Sequence, residues 1–215
     1  MTCIVGIEYD GGVLIAGDSA GMDSSYNITI RADEKVFSRK GPPQYDTMVF
    51  GYTSSFRMGQ LLRYDLTIPK LNYGSGYDTD VDRYMATKFM NLVRSCFERG
   101  GYLEKNNEKE SGGSFLVGIS KPINALYKVE SDFQIGRSRE HFNAVGCGAA
   151  YALGALRAID QLKVLDQYSD LTITIDEAMD YALIALRIAE KSSGGVRGPF
   201  LAVTTFSGES FILGE

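Results

Sequence analysis

Histidine and cysteine are scarce in this 215-residue sequence, and their scarcity limits its chemistry. Because His141 is the single histidine, a histidine-rich metal site is excluded, and a Ser-His-Asp or Cys-His site would have to use this residue. His141 lies in a charged stretch, so we interpret it as a surface residue. The cysteines are odd in number and widely spaced: Cys3, Cys96 and Cys147. Such a set fits free thiols in a reducing compartment better than a disulfide framework, and we therefore expect a cytoplasmic protein.

Long apolar runs and clusters of basic residues are also missing. No run approaches the ~18–20 apolar residues that cross a membrane, and no basic segment precedes the first apolar residues as it would in a signal peptide. Asp and Glu outnumber Lys and Arg by 27 to 22, which gives a net charge of −5. Since a phosphate backbone is bound by clustered cations, we expect neither a nucleic acid nor a membrane as a partner.

The length and the order of the apolar segments predict a single domain that begins with a hairpin. A chain of 215 residues can form one domain, residues 1–215, without a metal or a disulfide. Apolar, β-branched runs at residues 2–9 and 13–18 flank the turn residues Asp10, Gly11 and Gly12, which predicts a β-hairpin. Further strands are predicted at residues 35–37, 47–52, 114–119, 125–129, 200–206 and 210–213.

Four segments have apolar residues at helical spacing, three or four positions apart. They are residues 55–66, a helix from Asp80 to a stop at Gly100, a helix opened by residues 145–148, and a helix from Asp176 to a stop at Ser193. We expect irregular structure at residues 19–34, a turn at residues 41–43 and a polar loop at residues 104–113. Strand blocks that enclose helix pairs predict an α+β fold, a four-layer αββα sandwich of two antiparallel sheets with a helix pair on each outer face.

If neither a histidine nor a metal takes part, one remaining catalytic route is a threonine hydroxyl activated by its own free α-amine. The amine has an ordinary pKa near 8 and can serve as base and acid around neutral pH. Thr2 follows Met1, so removal of Met1 would expose such a pair, whereas an acylated Thr2 nitrogen cannot act as a base. Met-Thr also begins many proteins without catalytic meaning, so the dipeptide needs support from its context.

That context is a resemblance to a known family. The segments TCIVGI, from Thr2, and GVLIAGDS, which contains Asp18, resemble the opening of proteasome β subunits and of the bacterial proteasome-like peptidase HslV. In that family the mature threonine opens the first strand, and an aspartate follows in an apolar-apolar-Ala-x-Asp setting. Later signatures recur in the same order over almost the whole chain. The resemblance implies an N-terminal-nucleophile (Ntn) hydrolase fold.

The resemblance assigns roles to three polar residues near the start of the chain. Thr2 matches the nucleophile, Asp18 matches the acid that holds a catalytic lysine, and Lys35 resembles that lysine. A cation beside the threonine would stabilise its alkoxide and keep its amine neutral. Outside the family, Asp18 and Lys35 would be interpreted as a surface salt bridge or as unpaired charges.

The strand at residues 47–52 carries two further family positions. Gly51 resembles the glycine whose N–H helps to form the oxyanion hole, since glycine lets a substrate approach the backbone closely. Val49 matches a position that lines the specificity pocket and suggests apolar side chains before the scissile bond. The alternative for Gly51 is a bulge in a strand.

Two motifs in the second half of the chain complete the resemblance. GCGAAYA resembles the family's Gly-Ser-Gly-x-x-Tyr-Ala motif, with Cys147 in place of the serine. Glu190, followed by Ser193 and two glycines, resembles Asp-x-x-Ser-Gly-Gly, whose acid and serine support the threonine amine. Cysteine is a weaker hydrogen-bond partner than serine, and glutamate reaches one methylene further than aspartate. The alternative for Ser193 and its glycines is a helix C-cap.

The resemblance implies a threonine-type endopeptidase subunit that needs no cofactor or metal. It also implies a homo-oligomeric ring with an inner chamber, peptide or protein substrates, and an ATP-dependent unfoldase as a possible partner. A catalytically silent ring or scaffold subunit is one alternative, favoured by the Cys147 and Glu190 replacements. A small-amide Ntn amidohydrolase is another, although a closed chamber favours protein substrates.

Overall fold

The computed structural model describes residues 1–23, 25–40, 47–68, 81–107, 109–165 and 172–214. Within these ranges the strands are β1 (Cys3–Tyr9), β2 (Gly12–Asp18), β3 (Ala20–Met22), β4 (Ile28–Ile30), β5 (Val36–Lys40), β6 (Thr47–Tyr52), β7 (Glu104–Asn106), β8 (Lys109–Ser111), β9 (Phe115–Ile119), β10 (Ala125–Val129), β11 (Ile135–Arg137), β12 (Phe142–Gly146), β13 (Phe200–Thr204) and β14 (Ser210–Ile212). The predicted N-terminal hairpin is confirmed, with Gly11 at a φ of +94° in its turn.

The helices fall into two groups along the chain. The first group contains α1 (Phe56–Gln60) with a π-helical turn, Leu61–Asp65, and then α2 (Val81–Tyr84), a second π-helical turn, Met85–Phe89, and α3 (Met90–Arg99). The second group contains α4 (Ala149–Leu165) and α5 (Ile175–Ser192). A capping box opens α5, since Thr174 and Glu177 each accept the other's backbone N–H. None of the described helices is both long and apolar enough to cross a membrane.

Two five-stranded antiparallel sheets form the centre of the protein. The first has the strand order β12-β1-β2-β13-β14, and the second has the order β11-β10-β9-β6-β5. Helices α4 and α5 pack on the first sheet, and α1 to α3 pack on the second. The chain therefore has the predicted four-layer αββα arrangement.

Three apolar clusters fill the three interfaces between these layers. Strand β1 shows how the sequence produces them, because its side chains alternate between two buried faces. Val5 and Ile7 pack toward α4 and α5, whereas Ile4 packs toward the second sheet with Val36 and Leu116. A strand that is buried on both faces carries an almost continuous apolar run, which is the pattern seen at residues 2–9.

Some predicted elements differ from the observed ones. Residues 19–34 contain the short hairpin β3–β4, and the predicted polar loop contains the hairpin β7–β8. These strands are three residues long, too short for a periodic signal. Val145 and Gly146 end strand β12 and do not open a helix, because α4 begins at Ala149. The turn predicted at residues 41–43 and the helix start predicted at Asp80 lie outside the described residues.

Candidate active site

Thr2 lies directly before β1, at one end of a central strand of the first sheet. Only 5% of its surface is exposed. Its carbonyl accepts the N–H of Gly148 at 3.3 Å. Gly146, opposite Cys3 in the ladder between β1 and β12, has a φ of +101°. A Cβ at this position would overlap the Thr2 carbonyl, so the backbone beside Thr2 requires glycine.

Lys35 joins the two other polar residues predicted near the start of the chain. Its Nζ donates to Thr2 Oγ1 at 2.9 Å and to Asp18 Oδ1 at 3.0 Å. Asp18 is 1% exposed and Lys35 is 3% exposed. The pair is therefore a buried ion pair in contact with a hydroxyl, and the surface salt bridge considered from the sequence does not apply.

The Asp18 carboxylate is held by backbone donors as well as by Lys35. Oδ1 accepts the N–H of Cys3 at 3.0 Å, and Oδ2 accepts the N–H of Ala20 at 3.2 Å. The N–H of Arg197 lies 3.5 Å from Oδ2. Asp18 is the last residue of β2 and Cys3 is the first of β1, so the hairpin itself brings the carboxylate to the residue after Thr2.

Burial changes the proton affinity of this pair. It raises the pKa of Asp18 above its ordinary value, while Lys35 and the N–H donors of Cys3 and Ala20 oppose the rise. Burial also lowers the pKa of Lys35, and Asp18 opposes that change. A lysine with a lowered pKa, 2.9 Å from a hydroxyl, is suited to share a proton with that oxygen.

The thiol of Cys147 forms hydrogen bonds with both the N–H and the carbonyl of Thr2. The Thr2 N–H donates to Cys147 Sγ at 3.3 Å, and the thiol donates to the Thr2 carbonyl at 3.4 Å. Ser193 Oγ lies 3.3 Å from the same sulfur. Ser193 is therefore linked to Thr2 only through Cys147, and it is also the C-cap of α5. Its support of the Thr2 amine stays a prediction.

The Glu190 side chain does not contact the Thr2 nitrogen among the described hydrogen bonds. Its Oε1 accepts the N–H of Gly198 at 3.0 Å, and its backbone carbonyl accepts from the Arg197 guanidinium at 3.3 Å. In this arrangement Glu190 orders the segment that follows α5. Direct support of the amine, the role that the resemblance implies, is therefore absent among its described contacts.

Met1 lies in front of the hydroxyl. Thr2 Oγ1 donates to the Met1 carbonyl at 2.6 Å, and the Met1 side chain packs so closely on Gly195 that a Cβ there would overlap it. The Thr2 nitrogen is consequently an amide in this structure and has no lone pair available as a base. A free Thr2 amine requires cleavage of the bond between Met1 and Thr2.

Gly51 and Val49 do not join the polar cluster, which corrects two predictions. Tyr52 donates its N–H to the carbonyl of Lys35, directly before β5, and Thr53 donates its N–H to the carbonyl of Ser114, directly before β9 on the other side of β6. Because ladder donors alternate, the Gly51 N–H points toward β9 and belongs to the sheet. Val49 is fully buried in the apolar layer between the sheets. Both residues therefore have structural positions, and neither presents a group to a substrate.

The turn after β6 holds two residues that the sequence did not single out. Ser54 has a φ of +66°, which is rare for a residue with a side chain. Its N–H has no hydrogen-bond partner in the described part of the chain. The preceding residue, Thr53, is buried, and its methyl group lies beside Gly146, which in turn lies against Thr2. The polar Thr-Ser-Ser run at the end of an apolar strand is the signal that could have identified this turn.

Among the described residues, no group of three His, Cys, Asp or Glu side chains could hold a metal ion. The polar side chains that meet at Thr2 are instead a lysine, a carboxylate, a thiol and a hydroxyl: Lys35, Asp18, Cys147 and Ser193. Such a set can transfer protons and support a nucleophilic hydroxyl.

Comparison with known proteins was made by sequence and by fold. No family model and no curated protein matches the chain. BPH of Thiobacillus denitrificans matches its fold with a TM-score of 0.66 and 16% identity over 98% of each chain, and BPH has also been solved in complex with epoxomicin. The helical assembly of the Anbu complex from Pseudomonas aeruginosa matches with a TM-score of 0.64 and 18% identity, over 99% of this chain and 88% of its own. HslV of Trypanosoma brucei matches with a TM-score of 0.56 and 14% identity, over 94% and 98%.

The chain has the Ntn-hydrolase fold. At 14% to 18% identity these matches establish the architecture, and the activity has to be argued from the site. The Ntn fold agrees with the position of Thr2, directly before the first central strand.

Proposed function

We propose that this chain is a threonine-type peptidase subunit that uses Thr2 as its N-terminal nucleophile once Met1 is removed. The observation that carries the proposal is the buried contact of Lys35 Nζ with both Thr2 Oγ1, at 2.9 Å, and Asp18 Oδ1, at 3.0 Å. Burying a charged pair costs several kcal/mol. Placing that pair on a hydroxyl beside the chain terminus is the arrangement expected of an activated nucleophile.

The reaction uses groups of the chain alone. The free Thr2 amine accepts the hydroxyl proton while Oγ1 attacks the carbonyl carbon of a peptide bond. The amine then gives that proton to the leaving amine as the C–N bond breaks, which leaves an ester on Oγ1. Water, deprotonated by the same amine, hydrolyses the ester and restores Thr2. Lys35 stabilises the developing alkoxide, and Asp18 holds Lys35 in place.

The negative charge on the tetrahedral intermediate needs a backbone donor. We assign this role to the N–H of Ser54 in place of Gly51, because the Ser54 N–H has no partner in the described chain and its turn lies beside Thr2 through Thr53 and Gly146. The φ of +66° at Ser54 is the kind of backbone strain that is retained at functional turns.

Cys147 and Ser193 act behind the nucleophile in this scheme. After cleavage of the bond to Met1, the Sγ that now accepts the Thr2 amide N–H would lie beside the free amine and orient it. Ser193 holds the sulfur from the other side. Both are positioning residues, because neither touches the hydroxyl that reacts. Glu190 contributes one step further away, by ordering the segment at Gly198.

We also propose that the chain works as a homo-oligomer that encloses its active sites and degrades peptides or unfolded proteins in the cytoplasm. The Anbu complex of P. aeruginosa is a helical assembly, and its fold is shared with this chain. The thiols of Cys3, Cys96 and Cys147 are free, in line with a reducing compartment. An ATP-dependent unfoldase would be the partner of a closed ring.

The test is the intact mass of the protein before and after treatment with an epoxyketone inhibitor of threonine peptidases. BPH, which shares this fold, has been solved in complex with epoxomicin. We expect loss of Met1 and one adduct, which disappears in Thr2→Ala and persists in the matched control Thr2→Ser. An adduct that also forms on Thr2→Ala would refute the assignment of the nucleophile.

A catalytically silent subunit is the second candidate, and the observation that favours it is that Glu190 accepts the N–H of Gly198 and makes no contact with the Thr2 nitrogen among the described bonds. Retention of Met1 in the purified protein, with no adduct, would establish this alternative. A small-amide hydrolase would give the Thr2 adduct but would cleave short amides and leave a peptide library intact.

A further inference from the structure

We propose that Arg197 is a positioning residue of the Thr2 site, which couples the end of α5 to the Asp18 carboxylate. This inference deepens the proposed function, since it names a residue that the reaction needs without contact to a substrate. Arg197 belongs to the short segment between α5 and β13 and is partly buried.

The guanidinium of Arg197 binds the end of α5. Its Nη1 lies 2.6 Å from the carbonyl oxygen of Val196, 3.3 Å from that of Glu190 and 3.5 Å from that of Ser193. The last carbonyls of a helix have no partner within the helix, and a cation near them is favourable because it opposes the helix dipole. The side chain thus fixes the C-cap residue, Ser193, whose hydroxyl contacts Cys147.

The main chain of Arg197 binds the end of β2. Its N–H lies 3.5 Å from Asp18 Oδ2, and its carbonyl accepts the N–H of Ser19 at 3.1 Å. Asp18 in turn holds Lys35 on the nucleophile. One residue therefore contacts both supports of the Thr2 site, the carboxylate with its lysine on one side and the serine with its thiol on the other.

The neighbours of Arg197 strengthen the same connection. Gly198 donates its N–H to Glu190 Oε1 at 3.0 Å, and Ser19 Oγ donates to the Pro199 carbonyl at 2.7 Å. The segment is thus attached to α5 by the Arg197 and Glu190 side chains and to β2 by backbone and hydroxyl bonds. Without the guanidinium, three carbonyls lose their cation, and we expect the segment to shift away from Asp18.

We expect Arg197 to affect the reaction only through the positions of Asp18 and Lys35. A displacement of the carboxylate moves Lys35 Nζ relative to Thr2 Oγ1, and a misplacement of about 1 Å can cost about a hundredfold in rate. Binding of a substrate or inhibitor is expected to stay the same, since Arg197 touches neither the hydroxyl nor the Ser54 turn. The maximal rate of Thr2 modification should therefore fall while the half-saturating inhibitor concentration stays constant.

The experiment compares Arg197→Ala and Arg197→Lys with Arg187→Ala, a control at an exposed arginine of α5. Hydrogen–deuterium exchange is measured on peptides that cover residues 17–21 and 193–199, and epoxyketone labelling of Thr2 gives the maximal rate and the half-saturating concentration. For Arg197→Ala we expect faster exchange in both peptides and a maximal rate lowered about tenfold to a hundredfold. Arg197→Lys should recover most of the rate, and Arg187→Ala should match the wild type.

Two results would overturn the inference. Unchanged exchange at residues 17–21 in Arg197→Ala would show that Arg197 is not coupled to Asp18. Faster exchange at residues 193–199 with an unchanged labelling rate would show that Arg197 only caps the helix α5. If the wild type itself takes no epoxyketone, the proposed function fails, and the exchange at residues 17–21 still decides whether the coupling exists. Should Arg197→Ala not fold, Arg197→Gln replaces it, because this side chain keeps part of the length without the charge.

Discussion

Replacement of Lys35 by methionine removes the one cation of the buried pair while keeping a side chain of similar length. In the wild type, Lys35 Nζ and Asp18 Oδ1 are 3.0 Å apart, and both side chains are almost inaccessible to water. At an effective dielectric constant of about 20, two unit charges at 3.0 Å attract each other by about 5–6 kcal/mol. Loss of one partner of such a pair typically costs about 3–5 kcal/mol, because the other charge stays buried. We expect Lys35→Met to lose that much free energy of unfolding at neutral pH.

The deficit should depend on pH with a definite sign. Burial already raises the pKa of Asp18 in the folded wild type, and removal of Lys35 takes away the largest influence that opposes the rise. A folded pKa above the unfolded one means that the folded state binds the proton more tightly. The deficit of Lys35→Met is therefore largest above the raised folded pKa, and it shrinks as the pH falls through that value toward the unfolded pKa.

Urea denaturation followed by circular dichroism at several pH values measures these free energies. The matched control is Lys128→Met, which removes one partner of the partly exposed Lys128–Glu130 pair and should cost less than about 1 kcal/mol. The double variant Asp18→Asn/Lys35→Met should return to within about 2 kcal/mol of the wild type, since no charge stays buried. It should nevertheless take no epoxyketone on Thr2. A cost of Lys35→Met no larger than that of the control would refute the buried-pair argument.

Three further predictions address the surroundings of the site and the stability of α5. Cys147→Ser should raise the rate of epoxyketone labelling of Thr2 about two- to fivefold, because a hydroxyl gains about 0.5–1 kcal/mol over a thiol as a hydrogen-bond partner; an equal or lower rate would contradict this. Gly146→Ala should cost about 2–4 kcal/mol in urea denaturation, since position 146 has a φ of +101° and its Cβ would overlap the Thr2 carbonyl. The capping box and Lys163 lower the pKa of Glu177 from 4.5 to about 2. Glu177→Gln should therefore cost about 1 kcal/mol in urea denaturation at neutral pH, a difference that disappears as the pH falls from about 4.5 to about 2. Thr174→Ala should keep part of its cost at the lower pH, because the bond from the Glu177 N–H to the Thr174 hydroxyl does not depend on the carboxylate.

The sequence predicted the four layers of the fold better than it predicted the short strands. Strands such as β1 and β2 are buried on both faces, so their apolar runs are long and unambiguous. The order of strand blocks and helix groups then predicted the sandwich. The elements that were missed, β3, β4, β7, β8 and β11, are each three residues long, and strands this short carry no periodic signal. The sequence predicts a helix start at Val145 and Gly146, the end of strand β12, because only Cys147 and Gly148 separate this strand from α4.

For the site, residue types and their spacing along the chain supplied candidate residues. Only the tertiary structure shows which of these candidates contact one another. The scarcity of histidine left Thr2 as one candidate nucleophile, and the family resemblance supported it and added Asp18 and Lys35. Nothing in the spacing of Asp18 and Lys35 requires them to meet. They do so because Asp18 ends a central strand of one sheet, Lys35 precedes an edge strand of the other, and the apolar layer between the sheets presses these ends together.

The same reasoning explains which assignments the sequence could not make. Whether Gly51 offers its N–H to a ligand or to a neighbouring strand depends on the register of β6, which is set by partners far away in the sequence. Arg197 carries no motif at all, and its importance lies in contacts with Glu190 and Asp18 that exist only when α5 and β2 are packed. The sequence by itself determined the four layers and a threonine near the chain start, because burial patterns and residue chemistry are local properties. Sheet register and helix packing decided which backbone groups stay free and which side chains meet at Thr2, because those depend on contacts between distant parts of the chain.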